Sequence, residues 1–221
     1  MHIPDGYLSP VTYISSYIVS IPLLAYGFKR LKERLNEKTF PLISTLTALS
    51  FLIMMINIPI PAGTSGHAVG TAILSIIFDP WIAYISISLV LLIQALVFGD
   101  GGITAWAVNS LAMGFVAGWT GFLVYKLLNR FNKTFALFLA GWSSAVASAF
   151  VIAVVLGIQP YIASTPDGKP LFFPFGLDIT IPAIVGSHML YFGVIEGIFT
   201  VLTIKFLEKI NSFKVLKDAK I

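Results

Sequence analysis

His67-Ala68-Val69-Gly70-Thr71-Ala72-Ile73-Leu74-Ser75-Ile76-Ile77-Phe78 is an apolar run of twelve residues, and whether it crosses a membrane decides the fold. As a helix it reaches only about 18 Å at 1.5 Å per residue, against a hydrocarbon core of roughly 30 Å that takes about 20 residues to span. On either side the lengths leave no ambiguity. Segments 11–28, 42–60, 81–98, 103–128 and 134–158 are long and apolar, and a sixth, 179–207, is long enough to tilt or protrude.

Each crossing inverts the side on which everything after it lies, so the basic residues test the short run. If it crosses, Lys29, Arg30, Lys32, Arg34, Lys38, Lys126, Arg130, Lys133, Lys205, Lys209, Lys214, Lys217 and Lys220 share the cytoplasmic side and only Lys169 lies outside. If it does not, the same residues split six against eight, which is no bias. The expectation is therefore seven spans. The run must then borrow length from Pro59, Pro61, Gly63 and Gly66 before it, as irregular backbone at membrane depth. Such backbone is tolerated only where it is buried in protein or lines a cavity, which would put residues 61–67 on a binding site. The alternative is an ordinary Pro/Gly-rich outer turn above a short helix.

Composition agrees with lipid as the solvent. Of 221 residues, 57% are hydrophobic and 11% charged, a balance foreign to water-soluble domains. The net charge of +4 belongs to the cytoplasmic face and implies no nucleic acid partner. With no cysteine, disulfides and thiolate metal sites are excluded. Small residues mark close helix contacts, Gly114 with Gly118 in one span and Gly141, Ala145, Ala149 and Ala153 along another. The outer loop 159–177, rich in Pro, Phe and Gly, is either a lid or a simple connector.

Met1-His2-Ile3-Pro4-Asp5-Gly6 carries no basic stretch ahead of the first apolar segment and is a poor signal peptide. A histidine at position 2 is an unusual chelator. The Met1 amine and the deprotonated His2 amide close a five-membered ring on a metal, and that amide with the His2 Nδ1 closes a six-membered one. Three nitrogens lie in a plane and one corner stays vacant, a geometry suited to nickel(II) and copper(II). Only His67 and His188 remain to fill it. His67 lies in the suspected dip and is the first choice, while His188, inside the last span, is a supporting partner or a substitute. Asp5 with Gly6 would form the turn that aims the terminus inward, cap the first helix, or contact the amine. Asn109, inside the fifth span, would either hydrogen-bond a ligand imidazole or tie helices together. Glu196, costly in lipid, should face the bundle.

The opening Met1-His2-Ile3-Pro4-Asp5-Gly6-Tyr7-Leu8-Ser9-Pro10, the run Gly63-Thr64-Ser65-Gly66-His67, the Gly101-Gly102-Ile103 turn leading to Asn109 and Met113-Gly114, and Ser187-His188 through Glu196-Gly197 together resemble the CbiM/NikM family. These are substrate-binding S components of energy-coupling factor transporters for cobalt and nickel. The resemblance implies an N-terminal loop folded into the bundle, with Met1, His2 and His67 carrying the metal and Asp5, Ser65, Asn109 and His188 in support. At Asp100 the chain departs from the family pattern, so the resemblance gives no support for a role of that turn in metal delivery. The resemblance also implies partners in the lipid membrane: a transmembrane coupling subunit, two cytoplasmic ATPase subunits and often a small accessory membrane subunit. The chain has no Walker A sequence of its own, since Gly168-Lys169 lacks the upstream glycine.

The expected fold is thus an all-α membrane protein, a bundle of seven transmembrane helices with the N-terminus outside and inserted into the bundle and the C-terminus cytoplasmic. It forms one domain over 1–221, with a metal-binding loop at 1–10, the bundle at 11–210 and a cytoplasmic tail at 211–221. The expected cargo is Ni(2+) or Co(2+), with no organic cofactor and no enzymatic activity. A self-sufficient channel or secondary carrier would want several acidic groups along a path or repeat symmetry, and neither is present. A metalloprotease would want a His-Glu-x-x-His pair, also absent.

Overall fold

The computed structural model describes residues 1–60 and 64–210, with Ile60 and Thr64 described by their backbone alone. Among these residues are seven helices: α1 (Pro10–Arg34), α2 (Thr39–Met54), α3 (Thr71–Ile77), α4 (Pro80–Phe98), α5 (Trp106–Leu128), α6 (Lys133–Ile162) and α7 (Leu177–Lys209). Five of them, α1 and α4 to α7, are long and apolar enough to cross a membrane; α2, at 16 residues, is apolar but shorter. Local chemistry sets their starts. Ser9 caps α1 ahead of Pro10, and the Asp79 carboxylate accepts the Trp81 and Ile82 N–H groups at 2.8 and 3.0 Å ahead of α4. Asn132 caps α6 in the same way, accepting the Phe135 N–H at 3.0 Å.

The stretch expected to be irregular is partly regular. β1 (Ile58–Ile60) and β2 (Thr64–Gly66) pair antiparallel with Pro59 opposite Ser65. Pairing satisfies backbone groups that would otherwise be stranded, and β-branched isoleucines flanking a proline suit a short edge hairpin. Residues 61–63 of the expected dip, and the expected tail at 211–221, lie outside the described residues. After Gly66 the chain has no regular structure as far as Gly70, whose φ of +80° turns it into α3. Six of the seven residues of α3 are buried, so the shortest helix occupies the middle of the bundle and has no lipid face to cover.

The small-residue ridges are where helices meet. A Cβ on Gly114 of α5 would stand 2.9 Å from the Tyr84 ring of α4, and one on Gly141 of α6 would stand 2.5 Å from the Thr200 hydroxyl of α7. Four π-helical turns interrupt the α-helices: Gln94–Phe98 ends α4, Leu111–Val116 lies in α5, and Ile181–Val185 and His188–Phe192 lie in α7. Nothing in the sequence pattern announced them.

The bundle has two distinct ends. At one, Tyr26 at the end of α1 packs on Trp81 at the start of α4, ring centroids 4.6 Å apart, and Lys133 at the start of α6 pairs with Glu208 at the end of α7. At the other, Asn57 reaches Asp100 at 3.3 Å, and the Tyr17 hydroxyl donates to the Ile103 carbonyl at 2.6 Å. The N-terminus is at this second end, away from the basic clusters. The loop between α6 and α7 also lies here: Phe173, buried, packs on Tyr7 with ring centroids 5.3 Å apart.

Candidate metal centre

Residues 1–9 form a plug. Met1 and Ile3 are wholly buried, and His2 is 4% exposed. The apolar side chains supply the driving force, but an unpaired main chain could not follow them inside. Asn109 removes that obstacle: its Oδ1 accepts the Ile3 N–H at 3.0 Å and its Nδ2 donates to the Ile3 carbonyl at 3.1 Å, where the Gly102 N–H also donates at 2.9 Å. Among the described residues the Asn109 side chain therefore bonds neither an imidazole nor a second helix, the two roles expected from sequence. It holds the backbone one residue beyond His2. Asp5 accepts from the Ile103 and Thr104 N–H groups at 3.1 and 2.8 Å and from the Thr104 hydroxyl at 2.5 Å, so of its three expected roles it takes the one that anchors the turn. Gln159 fixes the far end by accepting the Ser9 N–H at 2.9 Å.

The plug delivers its first two residues to the segment after the hairpin. The Met1 amine donates to the Ser65 carbonyl, so Ser65 takes part through its main chain. The His2 and His67 rings stack with centroids 4.6 Å apart and planes 23° off parallel. His67 Nδ1 lies 3.1 Å from the Ala68 carbonyl, which makes Nδ1 the protonated nitrogen and leaves the Nε2 lone pair free. That Nε2 is buried and has no hydrogen-bond partner, and neither ring nitrogen of His2 has one. A buried unpartnered nitrogen costs about 1–3 kcal/mol, and the His67 Nε2 is the one a ligand would satisfy; the two His2 nitrogens point to opposite sides of their ring, Nδ1 toward Asp100 at 3.0 Å.

Burial pushes the Met1 amine down to about 4, with the Asp100 charge opposing more weakly. Burial likewise lowers the His2 imidazole. Both groups are therefore neutral at pH 7, with lone pairs available for coordination.

His188 is held differently. Its Nδ1 lies 2.7 Å from the Ile184 carbonyl and its Nε2 is buried without a partner, while its ring packs at 5.0 Å on Phe192, the residue that a Cβ on Gly66 would strike. Among the described residues no hydrogen bond joins it to Met1, His2 or His67. Glu196 faces the bundle as expected, but its partners are backbone: the Val69 and Gly70 N–H groups donate to it at 2.6 and 2.8 Å, tying α7 to the chain just past His67.

Three residues of the site escaped the sequence reading. Asp100 stands with Oδ1 3.0 Å from His2 Nδ1, Asn57 donates to both Asp100 oxygens at 3.3 Å, and Gln94 is buried with its Oε1 unpartnered. The family resemblance lent no support to a role of the Asp100 turn in metal delivery, yet that turn borders a cavity of about 370 Å³ together with His2, Asn57 and Ser65. Among the described residues no three His, Asp or Glu side chains converge as an ordinary metal cluster.

Asn109→Ala tests the plug independently of any metal. Losing two buried hydrogen bonds of about 1–1.5 kcal/mol each should free the terminus often enough to speed acylation of the Met1 amine tenfold to a hundredfold, read by mass spectrometry of the N-terminal peptide. An unchanged rate would mean that Ile3 is held by packing alone.

Residues 2–212 match the family described as CbiM, cobalt uptake substrate-specific transmembrane region. The chain is 38% identical over 213 residues to a probable fused nickel transport protein of Lactiplantibacillus plantarum, covering 95% of this chain and 65% of that protein. It is equally identical to a putative metal transport protein of Methanocaldococcus jannaschii over 96% of this chain and 93% of that one. The crystal structure of a truncated transition metal transporter superposes with a TM-score of 0.92 at 39% identity, over 95% of this chain and 99% of the other. A multi-pass membrane chain with this family match across nearly its whole length, and with its terminus folded against a histidine pair, belongs to the CbiM family of cobalt and nickel transport proteins.

Proposed function

We propose that this chain captures nickel(II), with cobalt(II) next in preference, at the outer face of a prokaryotic cytoplasmic membrane and delivers it inward as the substrate-binding subunit of an ATP-driven uptake system. The Met1 amine, the His2 amide and Nδ1, and the His67 Nε2 form the coordinating square, with Asp5, Ser65 and Asn109 holding its main chain and His188 adjacent. The observation that carries this reading is the buried Met1 beside the stacked His2 and His67 rings, with the His67 Nε2 buried and unpartnered.

Seven crossings fit the contacts described. The end of α1 and the start of α4 lie together, so an even number of crossings separates them, and α2 with the hairpin and α3 supply two. With the basic clusters at the opposite end, the plug faces outward under the usual charge rule. Energy comes from partners, because the chain carries no nucleotide motif: a transmembrane coupling subunit and two cytoplasmic ATPases. A self-sufficient carrier is the second reading, and uptake into vesicles holding this chain alone would favour it.

Proton release tests the ligand set. Nitrogen ligation at pH 7 should displace one proton per ion, that of the His2 amide, because the amine and imidazoles are already neutral. Affinity should therefore fall about tenfold per pH unit on acidification, and more steeply near pH 4, where the amine takes up its proton. A flat response would rule out amide coordination, and two protons released near pH 7 would mean that the amine is not buried.

A further inference from the structure

α1 and α2 are consecutive and joined by residues 35–38 alone, yet they barely touch: each packs on α4, and an apolar groove is left between them. Helices joined by so short a turn ordinarily pack on each other. The groove has a volume of about 450 Å³ and runs from Leu31 and Phe40 to Phe51 and Ile93. Phe40, Leu89 and Ile93 line it and are exposed, so it opens sideways onto lipid. Its walls are carbon almost throughout, and the Thr47 hydroxyl among them already donates to the Ile43 carbonyl at 2.7 Å. Such walls suit a hydrocarbon chain.

Length and charge narrow the guest. From Phe40 to Phe51, α2 rises about 16 Å at 1.5 Å per residue, about half of a hydrocarbon core of roughly 30 Å and so the depth of one leaflet. A spanning helix from a partner would press on the full thickness instead. The end of the groove at Leu31, Leu35 and Phe40 is flanked along the chain by Lys29, Arg30, Lys32, Arg34 and Lys38. Against them stand only Glu33 and Glu37, and Glu33 is already paired with Arg30. Basic residues at the cytoplasmic end of a cleft between spans attract anionic headgroups. We infer that the groove binds one anionic phospholipid of the cytoplasmic leaflet, with an acyl chain between α1, α2 and α4 and the headgroup at Arg34 and Lys38. The lipid supplies the packing that α1 and α2 do not give each other. This inference rests on the membrane orientation proposed above and on no part of the metal site.

The probe is phosphatidylglycerol with a photoreactive group midway along one acyl chain, mixed into phosphatidylcholine vesicles that hold the full-length protein. Adducts should map to residues 43–51 and 85–93, and inert phosphatidylglycerol should compete for them where added phosphatidylcholine does not. Ala48→Trp, which fills the groove, should abolish these adducts. Arg34→Gln combined with Lys38→Gln should lower the preference for the anionic lipid about tenfold or more, and this variant decides the matter alone if Ala48→Trp fails to fold. Adducts spread evenly over all lipid-facing helices, or equal competition by the two lipids, would overturn the site; adducts missing from both stretches would give the groove to a protein partner. Orientation is tested apart from binding. The chain has no cysteine of its own, so Glu37→Cys should react with a membrane-impermeant maleimide only after cells are opened. Labelling of intact cells would overturn the cytoplasmic leaflet assignment, even with adducts in the groove.

Discussion

Two residues added ahead of Met1 should lower the nickel affinity of the purified protein by at least about two orders of magnitude, while its helix content and thermal transition stay near those of the unextended chain. The amine becomes an amide and loses its lone pair, and the new terminus is displaced by about 3.8 Å per added residue. No room exists for either change, since Met1 is wholly buried and its nitrogen is already against the Ser65 carbonyl. Tight sites of four ligands bind with roughly 10–16 kcal/mol, so losing one of four is worth about 3 kcal/mol, and each 1.4 kcal/mol is tenfold. A single added residue is the less decisive change, because it moves the histidine to third position and lets the terminus complete a nitrogen square without His67. Affinity retained after the two-residue extension, measured by calorimetry and metal content, would remove the amine from the site.

Gly102→Ala should have an effect of similar kind from a position that touches no metal. A Cβ at Gly102 would lie 2.3 Å from the Asp5 backbone nitrogen and 2.7 Å from the Pro4 carbonyl carbon. These are main-chain atoms and cannot swing aside, so the plug must lift. Overpacking costs about 1–3 kcal/mol, which is roughly fivefold to more than a hundredfold in occupancy of the docked state. Metal affinity should fall by that factor and the Met1 amine should become open to acylation, with the helical bundle intact. Loss of affinity without exposure of the amine would show that Gly102 acts on the site by some route other than the plug.

Lipid makes the bundle legible in sequence because it imposes a single rule, that every crossing must be long and apolar. Five helices therefore fall within a few residues of the stretches read from composition. The shortest run needed a different signal, the distribution of Lys and Arg, since α3 is sheltered by its neighbours and its own length carries no information about lipid. The hairpin and the π turns depend on neighbours distant in sequence. Pro59 pairs opposite Ser65, and no local pattern distinguishes that from a loose turn. His2 and His67, which the structure stacks together, stood out in the sequence because coordination chemistry restricts which atoms can serve. Asp100 did not, because an Asp-Gly-Gly run reads as a solvent turn until the plug folds beside it. Asn109 was located correctly and misread in role, for a polar side chain within a span advertises that it needs a partner without saying which.

The plug also sets an order of assembly. Residues 1–9 leave the ribosome well before their partners at Ser65, Gly102, Thr104, Asn109 and Gln159. Contacts so distant along the chain close slowly and close last. The plug can therefore be completed only after α6 has been synthesised, and a chain arrested before Gln159 emerges should display a more reactive terminal amine than the finished protein does.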